Sequence, residues 1–213
     1  RGSEEVITGN VFIGTGETEI VRMFARVAQE LQKTYPDIRY HITSGNAEHV
    51  LEYLDKGLID FGLIYTAADP KKYETLPVPL WDTWGVLMRE DSPLAEKTAI
   101  APEDLWDKPL IVSHQRGDDV PLNRWLGKKE EELHIAATYN LVYNASLLVE
   151  EGLGYALCFD KLVNTNGRNL CFRPFATPLK ARCQIVWKRY QVFSKAASLF
   201  LQRVRAELGD SQN

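Results

Sequence analysis

Two segments place small polar residues where a strand gives way to a helix. Gly14-Thr15-Gly16-Glu17-Thr18 follows the apolar strand Val11–Gly14, and Thr43-Ser44-Gly45-Asn46 follows the alternating stretch Ile38–Ile42. The first N–H groups of a helix have no partner inside it and carry about half a positive charge. Such a corner can hold an anion or a polar group of a ligand. Thr15 and Thr18 can either cap the helix or face that ligand, and Ser44, Gly45 and Asn46 repeat the device. Gly14-x-Gly16 also invites a dinucleotide reading. Glu19 occupies the third glycine position, however, and no acidic residue ends the second strand to take a ribose hydroxyl.

Nucleophilic and metal chemistry find little support. There is no G-x-S-x-G elbow, and Ser113 and His114 are chain neighbours, a poor start for a triad. His41, His49, His114 and His134 are scattered without ligand spacing. Asp60 reads as a structural residue at a strand entrance. Glu130-Glu131-Glu132 and Glu150-Glu151 read as solvated faces, and Trp81, Trp106, Trp125 and Trp187 as packing. No catalytic residue, metal site or cofactor is expected.

The elements that position these residues alternate between strand and helix. Ile20, Phe24, Val27, Ala28, Leu31 and Tyr35 repeat at helical spacing until Pro36 stops them. Val50, Leu51 and Leu54 form the stripe of a second helix, which Gly57 ends. The largely apolar Ile59–Tyr65 then reads as a strand covered on both faces, completing a β-α-β-α-β run. A turn-rich connection is expected from Ala68-Asp69-Pro70 through Leu76-Pro77-Val78-Pro79, with the next strand at Trp84–Arg89.

Further strands are expected at Leu110–Ser113, His134–Asn140, Tyr155–Phe159 and around Cys183–Trp187. Helices are expected near Pro121–Leu126, Asn144–Glu151 and Ser194–Leu208. In an open parallel sheet, loops at the carboxyl ends of strands line the ligand crevice. The first lobe would bring Thr15, Gly16, Glu17, Thr18, Ser44, Gly45, Asn46 and Tyr65 there. Ser113, His114, Gln115, Tyr143 and Asn144 hold the equivalent ends in the second lobe, and Trp84 stands near the lobe junction, where it could cover a ligand.

Composition agrees with a globular α/β protein. In 213 residues, 45% are hydrophobic and 25% charged, and the net charge of −4 provides no basic footprint for nucleic acid. No apolar run approaches the roughly 18 residues of a membrane span, so no membrane role is expected. Three cysteines cannot all pair, which fits a reducing compartment. Arg1-Gly2-Ser3 reads as an expression-vector remnant, with the natural N-terminus removed.

From about Gly9 to Leu208 the chain resembles the effector-binding (regulatory) domain of LysR-type transcriptional regulators. The resemblance rests on Gly9-Asn10-Val11-Phe12-Ile13-Gly14, on Tyr35-Pro36 and above all on Leu54-x-x-Gly57-x-x-Asp60-x-Gly62. It continues through Leu80-Trp81-x-x-Trp84-Gly85-Val86-Leu87-Met88, Ser92-Pro93-Leu94-Ala95, Leu105-x-x-Lys108-Pro109-Leu110-Ile111 and Leu148-Val149-x-x-Gly152-x-Gly154-Tyr155-Ala156-Leu157. One departure is Cys158-Phe159-Asp160, where the family's strand runs into a proline. Another is Glu17 in the first effector loop, which argues against a strongly anionic ligand there.

The resemblance implies two Rossmann-like lobes joined by two crossover segments, the type II periplasmic-binding-protein-like fold. Lobe I would hold about residues 6–84 plus 190–213, and lobe II about 85–189. It implies a small-molecule effector in the inter-lobe cleft, touching Thr15, Thr18, Ser44, Asn46, Ser113 and Gln115, with Tyr65, Trp84, Tyr143, Asn144 and Phe159 as wall. It implies a cytoplasmic homodimer, a tetramer in the full-length protein, and DNA contacts only through an N-terminal winged helix-turn-helix. An effector bonded to both lobes would favour a closed form, with a coupling of roughly 1–3 kcal/mol. Two other classes remain: an extracytoplasmic solute-binding protein feeding a transporter, and an enzyme with a two-lobed cleft, for which no acid–base pair is apparent.

Overall fold

The computed structural model describes residues 5–114 and 119–209. The chain forms two units, one comprising the residues up to Trp81 and from Arg182 onward, the other Asp82–Ala181. Two strands, β4 (Tyr73–Arg89) and β9 (Lys180–Lys188), contribute residues to both.

In the first unit, β1 (Gly9–Thr15) pairs in parallel with β2 (Ile38–Ser44) on one side and β3 (Phe61–Ile64) on the other, and β9 runs antiparallel to β3. Between β1 and β2 lies α1 (Val21–Gln32), whose Met23, Phe24, Val27 and Leu31 are buried on the sheet side with α5 (Lys195–Gly209). The helix stops short of Tyr35, but the Tyr35 N–H still reaches the Leu31 carbonyl at 2.7 Å and its ring packs on the same core. Pro36 then forbids continuation.

The Leu54–Gly62 motif has a mechanical explanation. At the end of α2 (Ala47–Asp55), Gly57 has φ +69°, and the Gly57 and Leu58 N–H groups bond the carbonyls of Leu54 and Tyr53. This is a Schellman closure, which favours glycine at the left-handed position. Asp60 then bridges to β1: its carboxylate accepts the Phe12 N–H at 2.8 Å, and its own N–H donates to the Phe12 carbonyl at 2.8 Å. Burial pushes the Asp60 carboxyl above its ordinary range, with the Phe12 N–H opposing. At Gly62 a Cβ would stand 2.2 Å from Val50 Cγ1 of α2, so only glycine lets this helix lie so close to β3.

The second unit has β5 (Pro109–Ser113) parallel to β6 (His134–Tyr139) and to β7 (Tyr155–Phe159). The second half of β4 runs antiparallel to β7 and to β8 (Leu170–Pro174). α3 (Val120–Leu126) follows β5 and α4 (Val142–Glu150) follows β6. Helix α4 ends as α2 does, with Gly152 at φ +87° and N–H groups of Gly152 and Leu153 on the carbonyls of Val149 and Leu148.

Two expectations are corrected, and one strand, β8, was not expected at all. The stretch Leu76-Pro77-Val78-Pro79 is not a turn but part of the 17-residue β4, with Leu76 and Val78 buried and both prolines exposed. Prolines two apart remove donors from one edge of a strand only, which an extended segment tolerates. Strand β8 occupies a stretch without alternating sequence character. Trp81 and Trp106 are not buried packing: they are 45% and 38% exposed, with cations over their rings, Arg182 at 5.1 Å and Lys128 at 4.7 Å.

Candidate functional site

In the first unit the parallel register brings Thr15 opposite both Ser44 and Leu63, so β1, β2 and β3 end along one edge. The Gly45 N–H bonds the Thr15 carbonyl at 3.0 Å, joining the two polar loops, and a Cβ at Gly16 would meet the Gly45 carbonyl at 3.8 Å. Thr15 and Thr18 are 2% and 7% exposed. The Thr15 hydroxyl donates to the Gly16 carbonyl at 2.8 Å, and the Thr18 hydroxyl oxygen accepts the Ile20 N–H at 3.0 Å. The threonines therefore set the shape of the loop leading into α1.

Asn46 caps α2, its Oδ1 accepting the His49 N–H at 2.8 Å. Ser44 is exposed, Gly45 and Asn46 are half-buried, and so are Gly16 and Glu17. Tyr65, one residue past β3, packs partly against the core. The N-terminus of α2 thus stands next to Ser44 at this edge, whereas the expected open start of α1 is corrected: the N–H groups of Ile20, Val21, Arg22 and Met23 are bonded back to Thr18, Glu19 and Ile20.

The second unit has its own carboxyl edge. Ser113 pairs with Tyr139 at the ends of β5 and β6, and Trp84 pairs with Phe159 at the end of β7. The Trp84 and Phe159 rings meet edge to face, 4.7 Å between centroids and 68° between planes. Trp84 is 7% exposed and Phe159 half-buried, so the aromatic pair forms a firm wall. Ser113 is half-buried and His114 exposed, while Tyr143 and Asn144, in the first turn of α4, are both exposed. Gln115 lies outside the described residues.

Behind α4 stands Arg168. It bonds Glu150 at 2.9 Å and the Ser146 hydroxyl at 3.1 Å, and lies 5.9 Å over the Tyr143 ring. Arg168 holds Glu150 below the ordinary carboxylate range, chiefly by hydrogen bonding.

Two residues at these edges escape a reading by polar clusters. Tyr139 sits directly across from Ser113 and donates to the Leu157 carbonyl at 2.7 Å. Thr66, beside Tyr65, has its carbonyl held by the Gln184 side chain at 2.9 Å. The signal for Tyr139 was its place one turn before a helix, as Ser44 stands before α2. Among the described residues no group of His, Cys, Asp and Glu could hold a metal ion, and no helix is long and apolar enough to cross a membrane. Chemically, these edges offer hydroxyls, main-chain N–H groups and aromatic faces, a set suited to holding a small polar molecule.

Comparison with known proteins identifies the family. The family model of the LysR substrate binding domain matches residues 4–209. The uncharacterized HTH-type transcriptional regulator YvbU of Bacillus subtilis (strain 168) is 28% identical over 149 residues, which are 70% of this chain and 50% of that protein. The chain thus spans half the length of that relative. Among solved structures, the effector binding domain of QuiR in complex with shikimate superposes with a TM-score of 0.81 at 16% identity, covering 96% of this chain and 99% of that one. HinK, a LysR family transcriptional regulator from Pseudomonas aeruginosa, gives 0.76 at 22% identity, covering 97% and 73%. The chain belongs to the LysR substrate binding domain family, which has the type II periplasmic-binding-protein-like fold and is a family neither of enzymes nor of transporter binding proteins.

Proposed function

We propose that residues 6–213 sense a small, polar, uncharged or weakly charged effector for a DNA-binding regulator that acts in the cytoplasm. One observation carries the reading: each unit gathers polar residues at the carboxyl ends of its parallel strands, the first at Thr15–Thr18 and Ser44–Asn46, the second at Ser113 and Tyr143–Asn144. Ser44 and Asn144 present exposed polar side chains, the α2 N-terminus supplies N–H groups, and Trp84 with Phe159 supplies an apolar wall. Half-buried Glu17 disfavours a strongly anionic ligand by like-charge repulsion.

The full-length regulator would be a homodimer or tetramer that reaches DNA through an N-terminal domain. Effector binding would shift the population of its conformers by differential affinity and so change the geometry presented to DNA. Melting-temperature shifts against a library of small metabolites test the reading. A ligand at about 100 times its Kd adds about 2.7 kcal/mol, which corresponds to roughly 5–10 °C for a protein of this size. With that ligand in hand, Ser44→Ala and Ser113→Ala should each weaken binding by about 1 kcal/mol, roughly fivefold. Unchanged affinity in both variants would refute the assignment of these edges.

A further inference from the structure

The connection between β7 and β8 holds Asn166-Gly167, the only asparagine–glycine pair in the sequence. In such a pair the glycine main-chain nitrogen can reach the asparagine Cγ through a five-membered ring, and glycine brings no Cβ to obstruct the approach. Asparagine is thermolabile for this reason. Every other asparagine that is followed by a residue is followed by one with a Cβ, and Asn46 is further held as the cap of α2.

Both reacting groups are open. Asn166 and Gly167 are exposed, and among the described residues neither the Asn166 carboxamide nor the Gly167 N–H has a hydrogen-bond partner. A Cβ at Gly167 would meet nothing within 4 Å, so only its chain neighbours crowd it. Gly167 takes φ +71° at the third place of the turn Thr165–Arg168, a place that favours glycine. Two local bonds hold this turn: the Arg168 N–H to the Thr165 carbonyl at 3.1 Å, and the Asn166 N–H to Asn164 Oδ1 at 3.0 Å. Exposed local bonds of this kind open at little cost, so the peptide can rotate into the attacking geometry.

The next residue ties the turn to α4. Arg168 bonds Glu150 at 2.9 Å and the buried Ser146 hydroxyl at 3.1 Å, and it lies 5.9 Å over the Tyr143 ring. A change at Asn166 or Gly167 therefore acts on a residue that reaches both ends of that helix.

We infer that Asn166 is a site of self-modification by deamidation, and that its product releases Arg168 from α4. The Gly167 nitrogen forms a bond to Asn166 Cγ, the Cγ–nitrogen bond of the carboxamide breaks, and the amide group leaves as ammonia with the proton that Gly167 gives up. Water then opens the cyclic imide, and nothing is oxidised or reduced. Opening at Cγ leaves aspartate in the normal chain; opening at the main-chain carbonyl leaves isoaspartate, with the chain now running through Cβ and Cγ. Either product places a carboxylate two residues from Arg168, where it competes with Glu150 for the guanidinium. The isoaspartate also lengthens the turn by one main-chain carbon, which moves Arg168 relative to α4. The inference does not rest on the effector reading.

The test ages the 213-residue protein in warm, mildly alkaline buffer and maps its tryptic peptides by electron-transfer mass spectrometry. Cleavage after Lys161 and Arg168 isolates residues 162–168, in which Asn164 is the internal control. Conversion to acid, mostly isoaspartate, is expected at Asn166 before any other asparagine changes. An intact Asn166 in the aged protein, or equal conversion at Asn164 and Asn166, overturns the site. The aged protein should also melt lower, by about as much as fresh Arg168→Ala does, whereas Asn166→Gln should keep its melting temperature through the same incubation. Aged protein that melts with the fresh, an equal loss in Asn166→Gln, or an Arg168→Ala protein that loses as much on ageing as the parent overturns the release of Arg168.

Discussion

Replacing Gly62 with alanine should damage the carboxyl edge of the first unit from below. The new Cβ would lie 2.2 Å from Val50 Cγ1 and 3.1 Å from Val186 Cγ1, whereas ordinary contact begins at 3.4 Å, so Val50 must retreat by about 1.2 Å. Val50 is fully buried among Leu54, Ile59, Ile64, Tyr73 and Val186. A helical valine strongly prefers one rotamer, so the strain passes into α2 itself. That helix carries Asn46 at its N-terminus, tied to the Thr15 loop through Gly45. Overpacking of this kind costs about 1–3 kcal/mol. At 2–4 °C per kcal/mol for chains of this size, the melting temperature should fall by roughly 3–10 °C. The decisive measurement is a double-mutant cycle by urea unfolding: Val50→Ala clears the contact, so the pair should show a favourable coupling of at least about 0.5 kcal/mol. Gly57→Ala is the comparison. It meets open space at φ +69°, so it should cost about 1 kcal/mol through backbone conformation alone and gain nothing from Val50→Ala. Additivity of Gly62→Ala with Val50→Ala would refute the close-approach argument.

Three other outcomes are expected. Burial raises the Asp60 carboxyl above its ordinary value of 3.8, so the folded protein takes up this proton before the unfolded chain does, and Asp60 favours folding more as pH falls from neutral towards that value. The melting-temperature advantage of Asp60→Asn over the parent should therefore be largest at neutral pH and shrink on acidification; a difference independent of pH would refute the shift. Arg168→Ala should destabilise by about 1 kcal/mol in urea unfolding, because Ser146 is fully buried and loses a charged donor along with the Glu150 pair. An unchanged midpoint would mean that the Arg168 contacts contribute nothing. Cys158 and Cys183 are buried, and burial raises the Cys171 thiol. All three should react slowly with Ellman's reagent in the folded protein and readily in denaturing urea, and fast labelling of the native state would contradict their placement.

What could be read from the sequence followed from how local the governing physics is. Helix α2 and its surroundings were legible because each step is written in adjacent residues: Asn46 caps, Val50 and Leu54 form the stripe, Gly57 closes, and Asp60 and Gly62 begin the next strand. The reasons behind Asp60 and Gly62 were not legible. They depend on Phe12 and Val50, respectively 48 and 12 residues away in the chain, brought close only by the parallel register. The same distinction explains the β4 error. Leu76-Pro77-Val78-Pro79 has local turn chemistry, yet a strand needs donors along one edge only, and which edge a partner takes is a property of the sheet.

The candidate site divides along the same line. The two edges were legible because strand ends followed by helix starts define them. The division of labour within them was not. A hydroxyl in a loop can shape the backbone or meet a ligand, and the choice depends on burial. Thr15 and Thr18, buried and bonded to their own turn, do the first. Ser44, exposed on the last residue of the edge strand β2, is free for the second. If the proposed reading holds, effector affinity in the first unit should then respond more selectively to Ser44 than to the threonines. Substituting a threonine should cost stability along with affinity, whereas substituting Ser44 should change affinity alone.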